Sequence, residues 1–279
     1  MEKIAFFGAG LLGSGFVEAF RKRGVDVKVW NRTFEKAEAL EQFGGRAVHT
    51  PAEAADGVER VHICLSSDDA VDAVLAQVLP ALPPDVPMVD HTTVSLAGVR
   101  ARHERLTKDG RVFQHAPVFM GPPNAAAASG LMLASGGRAV FERLRPALEP
   151  MTGEVWYLSD RVDEAALFKL AGNAMILAVI GGLNDVFTIA NANKIPREEL
   201  FRVFEKFKPE AQISGRGKRM AAEDYAPTWT LGMAHKDAKL MQDAASGDAL
   251  PVIDAMESLM RRCIDAGFGQ DDLAAIAQR

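Results

Sequence analysis

Short runs of β-branched and aromatic residues alternate with helix-period patterns over roughly the first 160 positions. The runs are Ile4 to Phe7, Val25 to Trp30, Val61 to Leu65, Pro87 to Asp90, Val112 to His115, Leu131 to Ala134 and Val155 to Leu158. Strands that alternate with helices build βαβ units, so the pattern predicts an α/β fold with a mostly parallel sheet. After Asp163, a residue able to cap a helix N-terminus, apolar positions recur with helical period to about Asn193. A helix of about 30 residues spans roughly 45 Å, enough to link two domains. Pro196 suits a first helical turn, and Pro209, Pro227 and Pro251 divide the remainder into three or four further helices. The stripe Ala171, Met175, Ala178, Ile180 and Leu183 is too apolar for a solvent-exposed bridge. It is expected to be buried against the other helices or a second subunit, with core packing the favoured reading.

Composition fits an ordinary globular protein: 279 residues with 48% hydrophobic content can fill a sizeable core. The balance of 32 Lys and Arg against 37 Asp and Glu gives a formal charge of -5. That balance argues against the basic surface nucleic acids require, leaving a small molecule as the expected partner. The two cysteines, Cys64 and Cys263, offer neither a disulfide framework nor a zinc ligand set, which fits a reducing cytoplasm. The apolar run Ala174 to Ile180 is too short to cross a bilayer, so no membrane association is expected. The six histidines are dispersed and no His-Glu-x-x-His run occurs, so no metal is expected either.

Gly8-Ala9-Gly10-Leu11-Leu12-Gly13 follows the first strand and opens a helix that runs to about Arg23. In that context Gly-x-Gly-x-x-Gly is the fingerprint of dinucleotide binding. Gly8 allows the tight turn, Gly10 admits the pyrophosphate to the backbone, and Gly13 lets helix and strand pack closely. The expectation is a Rossmann domain over 1–162 and an all-helical substrate and oligomerisation domain over 163–279. The second strand ends in Trp30 and is followed by Asn31-Arg32-Thr33, with no carboxylate for ribose hydroxyls. Arg32 can make charge-assisted bonds to a 2′-phosphate, with Asn31 and Thr33 adding neutral ones, so NADP is the predicted cofactor. Leu65 and Ser66 end a strand at the sheet's carboxyl edge, where they are expected to line the dinucleotide groove; Ser66 can equally be a helix N-cap.

Lys169 and Asn173 are four residues apart and share a face at the N-terminal end of the long helix. Hydride delivery to a carbonyl develops negative charge on oxygen, which a positioned ammonium stabilises while supplying the proton. In the reverse direction a neutral lysine takes the proton, and desolvation or a nearby cation such as Lys236 can depress its pKa. Thr92 and Thr93 follow another strand at the carboxyl edge and offer two hydroxyls, or serve as ordinary loop and N-cap residues.

These segments, with Asp90-His91-Thr92-Thr93, Ala116-Pro117-Val118, Gly136-Gly137, Lys169-Leu170-Ala171-Gly172-Asn173 and Lys236-Asp237, run in the order found in the β-hydroxyacid dehydrogenases. The chain resembles that family, which includes 3-hydroxyisobutyrate dehydrogenase, tartronate semialdehyde reductase and the glyoxylate and succinic semialdehyde reductases, along nearly its whole length. The resemblance implies a catalytic Lys169, a substrate-orienting Asn173, Thr92 at the substrate, and Thr93 and Lys236 near the nicotinamide. The long apolar helix leads to the expectation of a homodimer or homotetramer, with a monomer whose helix is self-covered as the alternative. The family's usual Ser-Gly-Gly after Ala116-Pro117-Val118 is here Phe119-Met120-Gly121, which removes one hydroxyl and adds two apolar side chains. Phe119, Met120 and Gly121 are therefore expected to line a greasier substrate site, for a semialdehyde or 3-hydroxy acid with an apolar portion. His115, where the family often has Asp, reads as structural. An imine reductase-like enzyme and a non-catalytic NADP-binding scaffold are the alternatives; Lys169 and Asn173 speak against both.

Overall fold

A computed structural model describes residues 1–278 of the chain. It divides into two compact units, Met1–Asn173 and Ala174–Arg279, a division that falls inside the long helix rather than at its start near residue 163.

In the first unit, strands β1 (Lys3–Phe7), β2 (Asp26–Trp30), β3 (Arg46–Ala47), β4 (Arg60–Ile63), β5 (Met88–Asp90) and β6 (Phe113–His115) form one parallel sheet. Its order, β3-β2-β1-β4-β5-β6, is that of doubly wound dinucleotide-binding sheets. Helices α1 (Leu11–Lys22), α2 (Phe34–Glu38), α3 (Pro51–Ala55), α4 (Asp68–Val78) and α5 (Leu96–Lys108) connect its strands. The two-residue period of β1 explains the layering. Ile4 and Phe6 enter a core shared with Phe16, Phe20 and Val27. Ala5 and Phe7 enter the opposite core, with Ile63, Leu75 and Leu106. Both faces are buried, as a parallel sheet requires.

The next strands do not extend this sheet, contrary to the simple alternation read from the sequence. β7 (Val118–Phe119), β8 (Leu131–Ala134) and β9 (Glu154–Tyr157) form a separate sheet, antiparallel between β7 and β8 and parallel between β8 and β9. The short β7 and β3 had no readable pattern at two residues each. Helix α6 (Pro122–Ala126) follows β7, and α7 (Arg138–Leu148) lies between β8 and β9. α6 lies against α1, where a Cβ on Gly15 would come within 2.7 Å of the Pro122 carbonyl.

Helix α8 (Glu164–Ala192) is 29 residues long. Asp163 does not act as a free cap before it: its buried carboxylate is taken by the guanidiniums of Arg100 and Arg161. The apolar stripe is not core within this chain, which corrects the favoured expectation. Met175 is 49% exposed and Ile180 60%. By length and composition α8 is long and apolar enough to cross a membrane, although its uninterrupted apolar run, Ala174 to Ile180, is short.

The second unit continues from α8 through α9 (Arg197–Phe201), α10 (Val203–Lys206), α11 (Ala211–Ser214), α12 (Arg216–Ala221), α13 (Leu231–Ala244) and α14 (Pro251–Cys263). These are more and shorter pieces than proline spacing implied. Leu231, Ala234, Ala238 and Met260 fill its core. Two buried carboxylates tie its parts: Asp185 of α8 accepts from the Val252 and Ile253 amides at 2.9 Å each, capping α14. Asp272 accepts from Thr228, Trp229 and Ala274 amides and from Arg216, which holds its carboxyl well below the usual range despite burial.

Candidate functional site

The loop between β1 and α1 is shaped by close approaches. Gly8 has φ +113°, and a Cβ there would overlap the Cys64 carbonyl of the neighbouring strand. A Cβ on Gly13 would overlap the Gly8 carbonyl, so only glycine lets α1 start this close to β1. At Gly10 a Cβ would meet no protein atom and would project into open space. Gly10 begins α1 with no side-chain cap and no acidic residue in the first turn. The first amides of α1 are thus left for an anion. A cavity of about 660 Å³ opens here, lined by Gly8, Gly10, Leu11, Leu12 and Gly13. Uncapped amides and a glycine-cleared approach fit the diphosphate of a dinucleotide. Ala9 lies off this cavity, on an adjoining shallow groove.

The residues after β2 line the same cavity with divided roles. Asn31 lines the cavity and also holds the glycine turn. Its Oδ1 accepts from the Ala9 amide at 3.1 Å and its Nδ2 donates to the Thr33 carbonyl at 2.8 Å. The side chain therefore latches the glycine turn to the loop after β2. Arg32 is exposed on the cavity wall, with no ion pair among the described residues, and Thr33 begins α2 with its hydroxyl uncommitted as a cap. Lys36, one turn into α2, lines the cavity as well. Sequence reasoning missed Lys36, although its place one turn after Thr33 was a usable signal.

Leu65, Ser66, Thr92 and Thr93 line the middle of the cavity. Ser66 is not the helix cap; Ser67 is, its hydroxyl accepting from the Ala70 amide at 3.3 Å. Likewise Ser95 rather than either threonine caps α5. Thr92 is buried and its Oγ1 accepts from the Leu65 amide at 3.0 Å, so this hydroxyl spaces the two loops. Thr93 is exposed in the cavity.

Beneath that wall runs a buried polar chain that no sequence signal revealed, because its members meet only across β4 and β5. Arg60 donates through Nε to His62 Nε2 at 2.7 Å. His62 must then donate through Nδ1 to His91 Nε2, 3.0 Å away. His91 in turn donates through Nδ1 to the Ala116 carbonyl at 2.7 Å. The guanidinium thus fixes both tautomers. Both imidazoles are neutral, since burial pushes His91 down to about 4 and His62 well below its ordinary value. Beside them, burial raises Asp90 to about 6 and lowers His115 to about 3, the two side chains lying 3.8 Å apart.

Ala116 leads through β7 to Phe119, which meets the start of α8. The Lys169 ammonium stands 4.2 Å from the centre of the Phe119 ring, and the ring fills the space a Cβ on Gly172 would need. Lys169 is half-buried and burial lowers its pKa. Asn173 follows one turn later on the same face. Met120 does not join them: it packs on the core around Phe16 and Met132. The Gly121 amide is also committed, donating to Asn124 Oδ1 at 3.1 Å across the start of α6. An asparagine three residues after a helix start was a readable capping signal for this clamp. Lys236 belongs to α13 of the second unit, where its ammonium pairs with Asp237 at 2.9 Å.

Residues 3–159 match the family described as the NAD binding domain of 6-phosphogluconate dehydrogenase. Glyoxylate/succinic semialdehyde reductase 1 of Arabidopsis thaliana is 25% identical over 99% of this chain and 97% of its own length. L-threonate dehydrogenase of Pectobacterium atrosepticum is 24% identical over 98% of this chain and 92% of its own. Among solved structures, the imine reductase from Myxococcus stipitatus in complex with NADP+ superposes with a TM-score of 0.91 at 22% identity, over 99% of each chain.

Proposed function

The chain belongs to the β-hydroxyacid dehydrogenase family of NAD(P)-binding oxidoreductases, and on that premise we propose that it is an NADP-dependent reductase of a small carbonyl substrate, with Lys169 as the proton donor. One observation carries the reading: an ammonium half-buried over an aromatic face, its pKa lowered by burial, one turn from an amide side chain. The uncapped start of α1 and the loop after β2 would hold the dinucleotide, which supplies a hydride to the substrate carbon. Lys169 donates its proton to the oxygen on which negative charge develops, and in the reverse direction its neutral form takes that proton back. Asn173 orients the oxygen, and the Phe119 ring excludes water from the ammonium. Preference for NADP over NAD is supported by Arg32, Thr33 and Lys36 on one cavity wall without a carboxylate among them. We place the enzyme in the cytoplasm, as a homo-oligomer in which a second copy covers the exposed face of α8. Nucleic acid and membrane have no part in this proposal.

The decisive experiment measures NADPH oxidation by wild-type protein and Lys169→Ala, side by side, against semialdehydes, keto acids, apolar aldehydes and cyclic imines. One carbonyl class should turn over, and the substitution should lower kcat by about 10²- to 10⁴-fold while leaving NADPH affinity unchanged. Undiminished turnover in the variant overturns the assignment of Lys169. Fold likeness to an imine reductase supports a second reading, a C=N substrate, which the imine arm of the panel tests. NADPH binding without any turnover would favour a non-catalytic scaffold.

A further inference from the structure

We infer that the site beside Lys169 selects neutral carbonyl compounds and discriminates against those bearing a carboxylate; this rests on the reductase reading above. A carboxylate leaving water needs several N–H or O–H donors, or a guanidinium, to replace its hydration. The turn that follows β7 offers little of this. Phe119 presents a ring that has no N–H or O–H to offer an anion. The Gly121 amide is spent on Asn124 Oδ1 at 3.1 Å, and Pro122 and Pro123 carry no N–H. The Asn124 amide is itself turned to Ser129 Oγ at 3.3 Å. The cation in contact with this ring, Lys169, is the group the carbonyl oxygen requires, so a carboxylate seated on it would displace the reacting centre. An uncharged alkyl, aryl or ester group meets none of these costs and gains the Phe119 face as a packing surface.

The test compares methyl 4-oxobutanoate with 4-oxobutanoate, which differ in charge at the far end of an otherwise matched aldehyde. With wild-type protein and NADPH, kcat/KM for the ester should exceed that for the acid by at least about 10-fold, the typical weight of hydrogen bonds to a charged group. A ratio of one or less overturns the inference. In parallel, calorimetry with NADP+-loaded protein compares the corresponding alcohols, methyl 4-hydroxybutanoate and 4-hydroxybutanoate, and should show the same order of affinity. If neither aldehyde consumes NADPH, the reductase reading fails, and the affinities still decide this inference. Asn124→Ala releases the Gly121 amide at an exposed position and should narrow the ester-to-acid ratio by roughly 3-fold or more. An unchanged ratio would remove the turn from the explanation.

Discussion

Arg32 and Asn31 are neighbours with opposite duties. Asn31 is bonded at both ends of its amide to backbone, whereas Arg32 is exposed on the cavity wall without a carboxylate partner among the described residues. Substitution should separate the two roles. Arg32→Asp is expected to raise the KM for NADPH by about 10- to 100-fold and to spare NADH, because it removes a charge-assisted contact and adds a like charge. Asn31→Ala should weaken both cofactors alike, because it unlatches the glycine turn. Steady-state kinetics with the two nucleotides reads both outcomes, and an unchanged NADPH value in Arg32→Asp would refute the 2′-phosphate assignment. Lys169 allows a pH prediction of fixed sign. In the proposed mechanism reduction uses the ammonium, and burial lowers its pKa, so kcat for reduction should decline on an alkaline limb below the ordinary lysine value of about 10.4. A rate that stays flat to that value counts against the mechanism.

Between elements, the contact of α8 with β7 places the Lys169 ammonium on the Phe119 ring. Gly172 is a poor helix residue, yet it is the position that lets the Phe119 ring lie under Lys169. Gly172→Ala should favour the helix by about 1 kcal/mol locally while pushing the ring aside. Displacements of this kind commonly cost on the order of 10- to 100-fold in rate. The variant is therefore expected to lose kcat with its melting temperature nearly kept, which thermal denaturation and turnover measured on one preparation would establish. Full activity in Gly172→Ala would show that the ring's position is irrelevant.

For the molecule as a whole, acid should be destabilising. His62, His91 and His115 have folded pKa values below the ordinary histidine range because burial disfavours the imidazolium. The stability they contribute is complete above about 6.5 and is lost as pH falls through their folded values; His91 alone accounts for roughly 3 kcal/mol. Asp163 and Asp272, held down by arginines and amides, act in the same sense at lower pH. Asp90, raised to about 6, acts oppositely and gains stability as pH falls from 6 toward 4. Three histidines outweigh one aspartate, so Tm should fall between pH 6.5 and 4.5; a flat or rising Tm in that interval would contradict the neutral relay. The exposed Met175, Ile176, Leu177, Val179 and Ile180 of α8 make the second whole-molecule prediction. Ile180→Glu should convert an oligomer to monomers in light scattering, since a buried unpaired charge is costly. A wild-type protein that is itself monomeric would refute that face as a self-interface.

The sequence by itself determined the parallel sheet, the glycine turn, the long helix and the Lys169-Asn173 pair, because each is written in local periodicity or in residues close along the chain. Strand alternation at Ile4 to Phe7 and the four-residue spacing on α8 need no tertiary information. Tertiary structure alone decided what depends on distant partners: that Asn31 latches the glycine turn, and that Met120 packs on the core. It also decided that His62 and His91 carry a fixed hydrogen-bond direction from Arg60 to Ala116, and that Phe119 meets Lys169 across 49 residues of intervening chain. Local pattern encodes which faces are buried, whereas a side chain's hydrogen-bond partners and its pKa are fixed only when strands far apart in sequence are brought side by side in a medium that excludes water.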